Sequence, residues 1–192
     1  LVEIINPDIS LTDDASLNGK INGDTNDFKL NFSTTNLNAF STSFDKVKIQ
    51  IDNKNPLYNT YIEMDSIKTK QYKIRDFSLI NVTSKDTLNF RTEFKGGKKG
   101  NDFYNLNLYH TINKENNNVI GFKKSEMMFK DFLWYVNENK NDKNKIVFDK
   151  KLKEFSFEDL VFSHENQSIS FKGLINGKSN KDLQLTFKDV NL

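Results

Sequence analysis

The chain has 192 residues, enough for one good-sized unit or a stretch of a continuous elongated sheet. Its 28 basic and 26 acidic residues leave a net +2, which provides no general field to draw in nucleic acid or acidic membranes. Hydrophobic residues make up only 36%, yet aromatics reach 12% and phenylalanine alone supplies 17, so the apolar surface is concentrated rather than plentiful. The absence of cysteine excludes disulfide staples and cysteine-based zinc sites, and it is silent about compartment.

No run of apolar residues is long enough to span a bilayer, and the start at Leu1 shows no charged-then-apolar signal region. The missing initiator methionine and the stop at Val190-Asn191-Leu192, directly after an alternating run, are expected of a segment of a larger protein. Any anchor or targeting signal would then lie outside it.

In chain order, period-two alternation recurs from end to end: Phe28, Leu30 and Phe32, then Val47, Ile49 and Ile51, then Leu88, Phe90, Thr92 and Phe94. It returns at Leu106, Leu108 and His110, at Ile169, Phe171 and Ile175, and at Leu183, Leu185 and Phe187. Intervening residues such as Lys29, Asn31, Lys48, Gln50, Asn89 and Arg91 are polar, the pattern of antiparallel strands wetted on one face. Turn chemistry separates the runs at Asn22-Gly23-Asp24, Asp52 to Pro56, Gly96-Gly97-Lys98-Lys99-Gly100, Lys114 to Asn118 and Asn176 to Asn180, so the chain reads as a long antiparallel meander. The 2 prolines, Pro7 and Pro56, fall near predicted connections. The crowded stretch Lys123 to Val136 meets helical spacing only in part; Asp131 divides it, and Trp134-Tyr135-Val136 is strongly β-forming, so it reads as two strands.

An internal repeat links the two ends. Ser16-Leu17-Asn18-Gly19-Lys20-Ile21-Asn22-Gly23 matches Ser170-Phe171-Lys172-Gly173-Leu174-Ile175-Asn176-Gly177, with Gly19 and Gly173 standing 154 residues apart. After one inserted residue, Phe28 to Phe32 answers Leu183 to Phe187, and Asn36-Leu37 answers Asn191-Leu192. Residues 16–37 and 170–192 are thus expected to be equivalent hairpins, each with a glycine on its apolar face.

Catalytic signatures are missing. His110 and His164 stand alone, each in or beside a predicted strand, where a packed or solvated ring is the ordinary state. Ser163-His164-Glu165 holds triad residue types, but adjacent strand positions point to opposite faces. The glycine-rich stretch 96–100 joins two predicted strands instead of opening a helix, so it reads as a hairpin turn and not a phosphate cradle. Asp13, Asp14, Asp24 and Asp27 lack the alternating ligand order of a calcium loop and read as solvated turns. The chain is therefore expected to be non-enzymatic, with no cofactor and no metal.

What remains is a recurrent apolar stripe that needs a covering surface: a second sheet of the same chain, another protein, or the acyl chains of lipids. Periodicity alone does not choose among them.

Several phrases bear on that choice: Phe90-Arg91-Thr92-Glu93-Phe94-Lys95-Gly96-Gly97, Leu106 to Asn113, Val119 to Ser125, Phe132 to Asn137, Asn144 to Asp149 and Ser163 to Ser170. Together with the terminal repeat they cover most of residues 72–192, and as an ensemble they resemble the TamB family (translocation and assembly module, AsmA-like superfamily). The first 71 residues resemble it only in their hairpin pattern. The resemblance implies one internal or C-terminal section of a very long Gram-negative protein, anchored in the inner membrane and crossing the periplasm as a groove-shaped sheet, a β-taco, apolar on its inner face. It implies phospholipid transport toward the outer membrane, and assembly of outer-membrane proteins with a TamA-like or TamL-like barrel partner.

The candidates to line such a groove are Ile21, Phe28, Leu30, Phe32, Val47, Ile49, Ile51, Leu88, Phe90, Phe94, Leu106, Leu108, Ile169, Phe171, Ile175, Leu183, Leu185 and Phe187. A strand of six to eight residues spans roughly 20 to 26 Å, against about 15 Å of hydrocarbon in one leaflet, so one strand length is enough to shield an acyl chain. The competing expectation is a scaffold whose edge strands capture β-strands of outer-membrane clients.

Overall fold

A computed structural model describes residues 8–12, 14–97, 100–129 and 131–190. Leu1, Pro7, Asp13, Lys98 and Lys99 of the glycine-rich turn, and the Asn191-Leu192 end of the second repeat copy lie outside the described residues. The described residues are all-β and antiparallel, forming a single sheet of 15 strands, and no helix among them is long and apolar enough to cross a membrane.

The strands are β1 (Ile9–Leu11), β2 (Ser16–Asn22), β3 (Asp27–Ala39), β4 (Thr42–Asp52), β5 (Thr60–Lys68), β6 (Lys73–Ser84), β7 (Thr87–Gly96), β8 (Asp102–Ile112), β9 (Asn118–Phe122), β10 (Ser125–Phe129), β11 (Phe132–Val136), β12 (Lys145–Phe148), β13 (Glu154–His164), β14 (Gln167–Asn176) and β15 (Asn180–Lys188). The stretch around Trp134 forms two strands as expected, with Asp131 at φ 68 turning the chain between them. Tight turns rest on left-handed residues: Phe40 and Ser41, both at positive φ, join β3 to β4 in the manner of a type I′ hairpin, and Gly177 at φ 65 joins β14 to β15.

From β3 to β8 the strands follow one another as a meander. Both β1 and β2 lie along the same edge of β3, at opposite ends of its length: Leu11 faces Leu37, while Leu17 faces Phe32. Beyond β8 the simple meander ends. The edge of β8 is shared by β10 and β9, and the edge of β13 is shared by β11 and β12, so two ladders, β10–β11 and β9–β12, run side by side between β8 and β13. The reason is length: β9 to β12 are short strands, and two of them laid end to end fill the edge of one long strand.

By internal contacts the chain divides into two compact units, Leu1–Val82 with Arg91–Tyr104, and Thr83–Phe90 with Asn105–Leu192.

The first unit carries a feature that period-two reading does not anticipate. Lys46 and Asp76 sit inside β4 and β6 at φ 49 and φ 50, and the ladder pairs that Thr35, Lys46, Asp65 and Asp76 would make are absent while the register on either side is unchanged. A non-glycine residue in that region costs about 1 kcal/mol or more, so the row needs compensation. Ion pairs supply some of it: Lys46 Nζ lies 2.6 Å from Asp65 and Lys95 Nζ 2.8 Å from Asp76. Successive residues Thr35-Asn36, Asp45-Lys46, Asp65-Ser66 and Arg75-Asp76 line one concavity, which regular alternation forbids. Each strand thus slips its parity by one at this polar crease.

Candidate functional site

The crease explains how apolar residues of both parities come to share a face. In the first unit Leu17, Phe32, Ile49, Ile62 and Leu79 stand directly opposite one another across five strands. On the far side of the crease Leu11, Leu37, Phe44, Ile67 and Ile74 form a second five-strand row. Between β2, β3 and β4, Ile21 faces Phe28 and Leu30 faces Ile51, while Val47 stands opposite Thr34. Phe94 joins this unit through Phe77, at 6.3 Å between ring centroids, and through Tyr104, stacked at 4.6 Å.

The opposite parity is polar. Lys29 faces Asp52 with a 2.9 Å ion pair, and Lys48 faces Glu63, which faces Ser78. Beyond the crease, Asn36, Asp45 and Ser66 form a bonded cluster in which the Lys68 ammonium, at 2.5 Å, and the Ser66 hydroxyl hold the Asp45 carboxyl below the usual carboxylate range.

The second unit has apolar rows of its own, which run as far as β15. Phe162 faces Ile169, which faces Phe187; Leu160 faces Phe171, which faces Leu185; Phe157 faces Gly173, which faces Leu183. Ile175 faces Phe155 on one side and Lys181 on the other, so the apolar row ends there. Through β12 and β9, Phe157 is continued by Ile146 and Ile120, and Leu108 faces Phe122. Leu106 has the parity of Leu108 in β8, and Leu88 and Phe90 share parity in β7. Phe157 meets Phe171 edge-on at 4.9 Å, and Phe148 stacks on Phe155 at 5.6 Å.

Residues of the same rows that alternation alone passed over include Leu37, Phe44, Ile62, Ile67, Ile74 and Leu79, and Phe155, Phe157, Leu160 and Phe162. The reason is local. The crease breaks β3 to β6, and a bulge between Phe157 and Leu160 breaks β13, so each apolar set splits into two short runs of opposite parity.

Coverage of these rows is partial. Among the described residues the buried hydrophobic side chains are Val47, Val119, Val136 and Leu160, and not one of the 17 phenylalanines is buried. Cross-strand neighbours shield their flanks, and part of each apolar surface is left to solvent.

The histidines are packed. His164 lies between Phe132 and Trp134, at 5.4 and 5.5 Å between ring centroids, with Nδ1 2.8 Å from the Leu133 carbonyl oxygen, and His110 Nε2 is 3.0 Å from Asn118 Oδ1. Ser163 donates to Glu138 at 2.7 Å, away from His164. The Gly97 amide donates to the Tyr72 hydroxyl at 2.9 Å inside the β7–β8 turn. Asp14 accepts bonds from the Thr12 and Thr35 hydroxyls, which bring its carboxyl down to about 2. No cluster of three or more metal-ligating side chains occurs among the described residues.

Comparison with protein-family models, with curated proteins and with solved structures finds no match.

Proposed function

We propose that the chain is a non-enzymatic, lipid-shielding section of a larger envelope protein, whose apolar rows cover the acyl chains of phospholipids on their way toward the outer membrane. The observation that carries this reading is the half-covered state of the rows: apolar residues aligned across five strands, with no phenylalanine buried. A buried Phe or Leu gains about 1.5 to 3 kcal/mol over an exposed one, so side chains left half-covered retain affinity for a further apolar layer. A lipid gains about 0.8 kcal/mol per CH₂ removed from water wherever it sits on such a surface, which suits sliding. The resemblance to the TamB family supports the same reading, with its periplasmic setting, inner-membrane anchor and TamA-like or TamL-like barrel partner as parts of the proposal.

Leu106→Glu and Leu185→Glu test it. On a lipid-bearing face both variants retain the fold and lose co-purifying phospholipid. A loss of several kcal/mol of stability with no phospholipid bound in the parent protein would identify an ordinary core and overturn the reading.

A second reading has its own observation. Among the described residues β2 pairs only with β3 and β15 only with β14, and Leu17 and Ile21 on β2 are 67% and 78% exposed. Such edges accept a strand of an unfolded client by augmentation. Lysine substitutions at these edges that left client-peptide binding intact would exclude it.

A further inference from the structure

A cavity of about 530 Å³ lies in the second unit where the two side-by-side ladders part, and none of the candidates to line the acyl-chain groove borders it. Its floor is an aromatic ring on a glycine: Tyr109 stands opposite Gly121, and a Cβ built at Gly121 would lie 2.1 Å from Tyr109 Cε1. The ring occupies the place of the missing side chain, and Phe122 is also among the residues that line the space.

Three cations border the same space. The Lys123 ammonium donates to Asn89 Oδ1 at 2.7 Å, the Lys124 ammonium sits 4.9 Å from the centre of the Tyr135 ring, and Lys140 projects from the loop that follows β11. One acid, Asp142, opposes them, so positive charge prevails.

The loop is pinned before any ligand arrives. The Asn137 amide donates to the Phe122 carbonyl at 2.6 Å, the Asn141 amide to Asp159 at 3.1 Å, and the Phe122 amide to the Asn144 carbonyl at 2.9 Å. A preformed cavity with an aromatic ring at its floor and a few charged residues in its lining has the usual form of a small-molecule site.

We infer that this cavity binds a small amphiphilic anion: a compact apolar body carrying one carboxylate or phosphate. A neutral apolar guest would gain nothing from the three lysines, and a cation would meet like charge. A small inorganic anion would leave the aromatic floor uncovered. Only a molecule with both parts satisfies both parts of the cavity.

The test titrates the intact chain with octanoate and octyl phosphate below their micelle-forming concentrations, with octanol and octylammonium as controls, read by calorimetry and amide chemical shifts. The expected result is saturable binding of one or both anions, with shifts at 107–109, 121–124 and 137–142, and binding of either control weaker by about tenfold or more. Preference between the two anions separates a carboxylate source from a phosphate source. The double variant Lys124→Gln/Lys140→Gln, on exposed side chains, should weaken binding by about tenfold, and the arginine pair should restore it. Leu185→Glu should leave it unchanged, which keeps this result separate from the fate of the acyl-chain reading. Equal binding of octanol, shifts confined to β14 and β15, indifference to the glutamine pair, or no saturable binding of either anion would overturn the assignment.

Discussion

The two copies of the terminal hairpin differ in which of their strands has an outer neighbour. In the first copy β3 is flanked by β4, and β2 forms the edge; in the second β14 is flanked by β13, and β15 forms the edge. Exposure follows the neighbour, not the residue type. Ile21 on the open β2 is 78% exposed, whereas its equivalent Ile175 on the flanked β14 is half-buried. On the other strand the order reverses: Leu30 is half-buried beside β4, and its counterpart Leu185 is 54% exposed. The lesson is that each hairpin, whatever its sequence, needs a flanking strand to cover its apolar side chains.

The copies also differ in register. Gly19 faces Leu30, so the repeat would place Gly173 opposite Leu185, yet Gly173 faces Leu183. The slide is two residues, which keeps every side chain on its face. Gly173 sits at φ 144 with its missing Cβ 2.1 Å from the Asp182 carbonyl oxygen, while at Gly19 the nearest atom is 3.1 Å away.

The largest expected effect comes from this difference. Gly173→Ala should cost about 3 kcal/mol or more and release β15, whereas Gly19→Ala should cost about 1 kcal/mol at most, as read by urea unfolding and hydrogen exchange. Similar costs at the two glycines would break the contrast. Next, Phe171→Ala, flanked by Leu160 and Leu185, should lose about 2 kcal/mol, while Leu17→Ala at the matching open position should change stability by about 0.5 kcal/mol or less. A cost at Leu17 as large as that at Phe171 would mean that a partner already covers β2.

The smallest effect is a pH dependence confined to the first copy. Asp14 precedes β2 and ties it to Thr35 of β3, and the hydroxyls of Thr12 and Thr35 hold its carboxyl at about 2. Because the folded value lies below the unfolded one, its contribution is complete above pH ~4 and fades as the pH falls through ~2. Amide exchange in β2 should therefore quicken over that window, and Asp14→Asn should remove the dependence. No matching acceleration is expected in β15.

The extent to which the sequence revealed this arrangement varied with the regularity of the strands. Runs such as Phe28-Leu30-Phe32 and Leu183-Leu185-Phe187 lie in uninterrupted β-structure, where parity alone identifies a face. The repeat was visible because its two copies keep glycine and large apolar residues at matched positions. Leu37, Phe44, Ile67 and Ile74 were hidden because the crease reverses parity within a strand, and Phe157 and Leu160 because a bulge does the same. The side-by-side ladders were hidden for another reason: pairing of β8 with β9 and of β11 with β13 depends on which short strands fit along one long edge, and no local pattern encodes that. The cavity at that seam was out of reach for the same cause, since Tyr109, Lys124 and Lys140 come from segments separate in the chain.

The seam has a mechanical consequence. Along a simple meander, opening one ladder severs the sheet at that point. Between β8 and β13 there are two routes, one through β10 and β11 and one through β9 and β12, and either can part while the other still holds. A load or a local opening there is shared by parallel connections and not carried in series, so this region of short strands is the one best protected against being pulled in two.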